Sequence, residues 1–261
     1  IHLRGVPFNT GDGLKMAMDI GAMPYGSWST CHASPQDIAL PKFTVPSAHS
    51  LKDSQTRYMY PWGIMVNTNA ERFIDEAYDT RGRTYAAMGR SILAQPGGIA
   101  YQILDAKIRK MNLYTPNYQS ATTVKADTLE KLGAELDLNV PKFVKTVRDF
   151  NAAVQPGKYN PDRHQLDGKC TAGITPPKTN YALEIDEPPF EAFPVTPAML
   201  ASVASGVASA RKSSTPASAA LAAAVRRLTR IRQARSSQKF ARWAARPNRI
   251  VTRWPITSRL A

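Results

Sequence analysis

Apolar residues along the chain come in short runs bounded by Gly, Pro and Asn, and the clearest case is residues 63–76, GIMVNTNAERFIDE. Ile64, Met65 and Val66 make one run and Arg72, Phe73 and Ile74 a second, with a polar, turn-prone stretch from Asn67 to Glu71 between them. That pattern predicts strand, turn, strand. Asp75, Glu76, Asp79, Arg81 and Arg83 follow at once. A hairpin that gathers carboxylates and guanidiniums at one edge is either a holder for an anionic substrate or a solvated end with routine ion pairs.

Helical periodicity is confined to four stretches. Leu14, Met16, Ala17, Met18 and Ile20 predict a short helix closing at Gly21, entered through the Thr10-Gly11-Asp12-Gly13 loop, with Asp12 at its positive end. Tyr85, Met88, Ile92 and Leu93 predict a second, broken by Gln95-Pro96-Gly97-Gly98 before a buried strand, AYQILD. In a third, Asp127 is the expected N-cap, Glu130 stands at capping-box spacing, and the end is at or shortly after Gly133. A fourth opens at Pro141 and puts Phe143, Val144, Val147 and Phe150 on one core-facing side.

Composition changes this picture at one place. Of 261 residues 43% are hydrophobic, enough for a core, and the net charge is +14. A basic balance of that size points to nucleic acid or an anionic surface. Yet no Asp or Glu follows Glu191, and Arg211 to Arg259 hold 13 Lys or Arg, so the first 191 residues carry a net charge of only +1. The charge belongs to an Ala/Ser/Arg-rich tail, 198–261, which reads as out-of-frame translation of a GC-rich gene, as disorder, or as a basic helix over Leu221–Ile231. Cys31 and Cys170 form no CxxC pair and no disulfide framework, which favours a reducing cytoplasm; no metal is expected. No run of about 18 apolar residues spans a bilayer.

The order hydrophobic-Val-Asn, short turn, Arg-Phe-x-x-Glu, then an Arg a few residues on, resembles the fumarate reductase/succinate dehydrogenase flavoprotein family, and within it the tricarballylate dehydrogenase-like branch. The likeness runs from about Thr10 to Thr196 and takes in TGDG, the WSTCHA segment 28–33, TLEKL followed by FVKTVRDFNAAV, and PPFEAFPVT. It implies an α+β fold: residues 1–22 as a remnant of an FAD-binding domain, 23–187 as the cap (substrate) domain, and 188–197 as the return strand. It also implies FAD beside Gly11, Asp12 and Gly13, a substrate carboxylate on His32 and Arg72, and Arg81 with Glu76 as the proton-exchanging pair. A small polycarboxylate would be the substrate, and an electron acceptor the second partner.

Three departures accompany the resemblance. Arg81 stands nine residues after Arg72 where fumarate reductases have eight, the Thr-Glu-x-x-Arg segment before the hairpin is missing, and no buried strand with G-x-G-x-x-G exists. The sequence therefore reads as an internal fragment, expected to bind FAD weakly or not at all and to be inactive alone. The competing expectation is a nucleic-acid- or anionic-surface-binding protein acting through its tail.

Overall fold

The computed structural model describes residues 2–4, 10–25, 32–41, 43–44, 55–200 and 207–210. Its organising element is one long strand, β8 (Phe190–Leu200). On one edge of it lie β6 (Ala100–Leu104), antiparallel, and β1 (His2–Arg4), parallel; on the other lie β7 (Val124–Ala126) and β3 (Ala33–Asp37), both antiparallel. β5 (Ile64–Asn67) adds to β6, and β4 (Phe43–Thr44) to β1, completing a seven-stranded sheet.

Two prolines inside a central strand would normally forfeit ladder bonds. Here they fall where there is nothing to lose. Pro194 sends its carbonyl to the Ile38 N–H (3.0 Å), so its ring nitrogen faces the edge where β7 has ended at Ala192 and β3 begins at Val195. Pro197, three residues on, faces the opposite edge, in the gap between β6, which pairs as far as Val195, and β1, which starts at Ala198.

Helices cover both faces, as the period-2 alternation of the strands requires. On one face, Met65, Ala100 and Val195 pack with Met88 and Ile92 of α2 (Arg81–Leu93) and with Tyr60. On the other, Ile64, Val66, Tyr101 and Ile103 meet Leu132 of α4 (Leu129–Glu135) and Phe143, Val147 and Phe150 of α5 (Val140–Ala153). α2 seats closely on β3 because residue 89 is glycine: a Cβ there would stand 2.2 Å from the Ala33 carbonyl oxygen. α1 (Asp12–Asp19) has no buried residue and is closed by Gly21 at φ 95°, beside β2 (Ala22–Pro24). After β6, α3 (Ala106–Lys110) is capped by the Asp105 carboxylate.

Three expectations are corrected. The second hairpin strand shrinks to a single bridge, Val66 with Arg72. Asn67 Oδ1 closes the turn on the Asn69 and Glu71 N–H groups, and the Glu76 carboxylate accepts the Met65 N–H (2.8 Å) that a strand would have taken. The N-cap of α4 is Thr128, whose Oγ1 accepts from Lys131 N (3.2 Å), rather than Asp127. β8 also runs past residue 197, and Val207–Ala210 forms β9 antiparallel to β2, where disorder or helix was expected. The expected basic helix, Leu221–Ile231, lies outside the described residues.

Candidate functional site

The tight contact of α2 on β3 has a consequence one helical turn before Gly89. Tyr85 shares the face of Gly89, and His32 immediately precedes Ala33, so the two rings are brought together at 5.2 Å between centroids. Tyr85 also meets Tyr58 (5.5 Å), and the Arg81 guanidinium stands over the Tyr58 ring at 5.9 Å. The first turn of α2 that carries Arg81 is pinned from below: Tyr60 Oη and Thr84 Oγ1 are 2.8 Å apart, and Tyr60 Oη reaches the Arg81 carbonyl at 3.5 Å. His32, Tyr85, Tyr58 and Arg81 thus form one continuous patch.

Its electrostatics are one-sided. His32 is exposed and Arg81 partly so, and among the described residues no carboxylate pairs with Arg81. Close by, the buried Ser34 accepts from Gln36 Nε2 at 2.8 Å. Burial raises the Tyr58 pKa, outweighing the Ser34 hydroxyl and the Arg4 and Arg81 charges that pull it down, so its hydroxyl stays protonated at neutral pH.

Arg72 and Glu76 sit elsewhere. Their side chains are 5% and 0% exposed and paired two-fold, Nη2 to Oε2 at 2.7 Å and Nε to Oε1 at 3.1 Å. Arg72 Nη1 also donates to the Pro176 carbonyl (2.8 Å), and the guanidinium lies over the Phe150 ring at 5.0 Å. Behind Glu76, Lys178 Nζ donates to the Pro61 and Gly63 carbonyls (2.8 and 2.9 Å), 3.8 Å from Glu76 Oε2. Burial brings the Lys178 pKa down to about 8, against the pull of Glu76. The polar atoms of this trio are thus committed to one another and to backbone, which makes it a prop for the hairpin.

Gly11 takes φ 92° as the N-cap of α1, and Thr10 Oγ1 donates to Asp12 Oδ2 (2.7 Å). A Cβ at Gly11 or Gly13 would meet no described atom within 4 Å, so this backbone is open. Cys31 and His49 lie outside the described residues. Among the described residues no group of three His, Cys, Asp or Glu could hold a metal, and no helix is long and apolar enough to cross a membrane.

Sequence reasoning singled out His32 and Arg81 together with Arg72 and Glu76, missed Tyr58 and Lys178, and read Tyr85 only as an apolar residue of a helix. Only Lys178 left a signal, as a lone cation in the otherwise uncharged TPPKTNYA stretch.

The chain has similarities to known proteins. It is 35% identical over 96 residues to the fumarate reductase (cytochrome) of Shewanella frigidimarina, a match covering 36% of this chain and 16% of that protein. The chain is similar to fumarate reductase flavoproteins. Among solved structures, a 3-ketosteroid Δ1-dehydrogenase from Sterolibacterium denitrificans in complex with 1,4-androstadiene-3,17-dione shares the fold. It superposes with a TM-score of 0.50 at 22% identity, over 76% of this chain and 37% of that one. The open conformation of a flavocytochrome c3 fumarate reductase aligns at 25% identity with a TM-score of 0.46, over 73% of this chain and 29% of that one. No protein-family model matches. The fumarate reductase match spans about a sixth of the length of its curated relative.

Proposed function

We propose that this chain is the carboxylate-holding part of an FAD-dependent oxidoreductase acting on a CH–CH bond next to a carboxylate, with tricarballylate- or fumarate/succinate-type polycarboxylates as the substrate class. The observation that carries this reading is the patch itself: an arginine without a carboxylate partner among the described residues, an exposed imidazole and two phenol rings in mutual contact. An arginine remains charged at any physiological pH, since its pKa exceeds about 12. Arg81 therefore supplies a permanent charge-assisted clamp for one carboxylate. His32 donates to a second, and the Tyr58 and Tyr85 rings flank the substrate between them.

Arg81 is also assigned the exchange of the proton on the substrate carbon. In this reading Arg72 and Glu76 take no part in the proton exchange and hold the hairpin that presents Arg81. The open Gly11–Gly13 backbone fits the edge of a flat ring system, so these residues with Asp12 are assigned to FAD, alongside a nucleotide-binding part that lies beyond this stretch of sequence. When bound, FAD supplies hydride exchange with a carbon alpha to the carboxylate. The chain by itself is proposed to hold FAD weakly and to turn over nothing.

Calorimetric titration with tricarballylate, succinate and acetate tests this reading. Tighter binding of the polycarboxylates, weakened on the order of 10-fold by Arg81→Gln, is expected. Equal, Arg81-independent binding of all three would contradict it. A second reading rests on the 13 basic residues of 211–259: a tail that grips a polyanion. Salt-sensitive retention on heparin that disappears on deletion of 211–261 would favour it.

A further inference from the structure

The first turn of α2 is held without a side-chain cap: Thr80 is its N-cap residue, and the Thr80 side chain makes no capping bond. A pair of hydroxyls beneath the turn holds it instead. Thr84 Oγ1 reaches the Thr80 and Arg81 carbonyls at 3.3 and 3.5 Å. Tyr60 Oη stands 2.8 Å from Thr84 Oγ1 and 3.5 Å from the Arg81 carbonyl. Whichever hydroxyl donates to the other, the second still has a carbonyl of that turn to donate to. Both residues are fully buried, Tyr60 in the cluster with Met65, Met88 and Ile92. Phenylalanine and valine would fill the same space, and replacing both partners of a buried bond by apolar groups of like shape is nearly neutral for stability. What the two oxygens add is direction.

Helix geometry sets that direction. At 3.6 residues per turn, Arg81 lies about 60° round the helix from Thr84 and about 40° from Tyr85, on opposite sides. Arg81 thus projects between two fixed points: Tyr85, held against His32 at 5.2 Å between ring centroids, and Thr84, held by Tyr60 at 2.8 Å. Turning α2 about its axis to swing the guanidinium off the patch would part Tyr60 from Thr84. We propose that Tyr60 and Thr84 are positioning residues for Arg81, their hydroxyl pair fixing the angle at which its guanidinium meets a carboxylate. This deepens the reading of the patch as a polycarboxylate site and rests on it. Both residues are enclosed in the core and act only through Arg81.

The test is calorimetric titration of the full chain with tricarballylate, arranged as a double-mutant cycle with Arg81→Gln. Thr84→Val keeps the branched shape and removes the hydroxyl, Thr84→Ser keeps the hydroxyl, and Tyr60→Phe removes the other oxygen. The expected result is a Kd raised on the order of 5-fold by Thr84→Val and by Tyr60→Phe. Thr84→Ser should stay within about 2-fold of the natural chain, and Thr84→Val added to Arg81→Gln should weaken binding no further. Unfolding midpoints accompany each Kd, and if Thr84→Val does not fold, Tyr60→Phe carries the same cycle. Unchanged affinity in Thr84→Val and Tyr60→Phe, with weakened binding in Arg81→Gln, overturns the positioning role and leaves the site intact. An equal loss in both backgrounds, or no recovery in Thr84→Ser, also overturns it, because a general loosening of the core acts with or without Arg81. No binding by the natural chain, or binding insensitive to Arg81→Gln, overturns the site and this inference with it.

Discussion

Glu76 and Arg81 are five residues apart, yet the protein treats charge in opposite ways at the two positions. At Glu76 every polar atom has a neighbour: Arg72 on both oxygens, the Met65 N–H on one, and the Lys178 ammonium behind. At Arg81 the contacts are aromatic, and no acid partner stands among the described residues. A buried, saturated ionic group is scaffold, because exposing it to a ligand would first mean breaking bonds that compensate its desolvation. A cation left on an open aromatic shelf keeps its binding capacity for something that arrives. The contrast separates the prop from the grip within one hairpin and the helix that follows.

Perturbing the prop gives the largest effect. Glu76→Ala strands Arg72 and Lys178 as buried cations and orphans the Met65 N–H, so a loss of about 3–5 kcal/mol in urea unfolding is expected. A Glu76→Ala chain of native stability that has lost carboxylate binding would instead place Glu76 at the grip. Next comes the link between the regions. Gly89→Ala drives a methyl into the Ala33 carbonyl, costing about 1–3 kcal/mol, and it also parts Tyr85 from His32. Weaker carboxylate binding should therefore accompany the lower midpoint.

The sequence showed the grip more plainly than the prop, for a physical reason. His32 and Arg81 are polar residues in local settings that resemble a family motif, although the helical pattern in the sequence begins only after Arg83, and α2 in fact opens at Arg81. The start of α5 around Pro141 and its apolar side with Phe143 and Phe150 were equally readable, since helical spacing is a local property. The prop could not be read as such because its third member meets the other two across the chain: Lys178 is 102 positions from Glu76, and no periodicity links them. The second hairpin strand was over-read for the same reason, as a carboxylate eleven residues from Met65 replaced the strand partner. Thr128 displaced Asp127 as a cap by one position, the usual uncertainty at a helix end.

A pH effect of intermediate size comes from Lys178. Its folded pKa, brought down to about 8 by burial, lies below the ordinary value of 10.5, so between these two pH values the unfolded chain holds a proton that the folded one has released. Stability therefore rises through that window by up to about 1.4 kcal/mol per pH unit and is lost as the pH falls back toward 8. Unfolding midpoints compared between the natural chain and Lys178→Met check the sign: the rise should be absent from the variant. The smallest stability change belongs to the grip. Arg81→Gln and His32→Gln should leave unfolding within about 0.5 kcal/mol of the natural chain, since neither removes a bond from the core. A larger loss would mean that the patch is scaffold after all.

The most direct test of the division between grip and prop is a crystal structure of the chain with tricarballylate. The account predicts one carboxylate within hydrogen-bond distance of the Arg81 guanidinium and another at the His32 ring, with the Arg72–Glu76 pair unbroken. A carboxylate seated on Arg72 with Glu76 displaced, or none near Arg81, would contradict it.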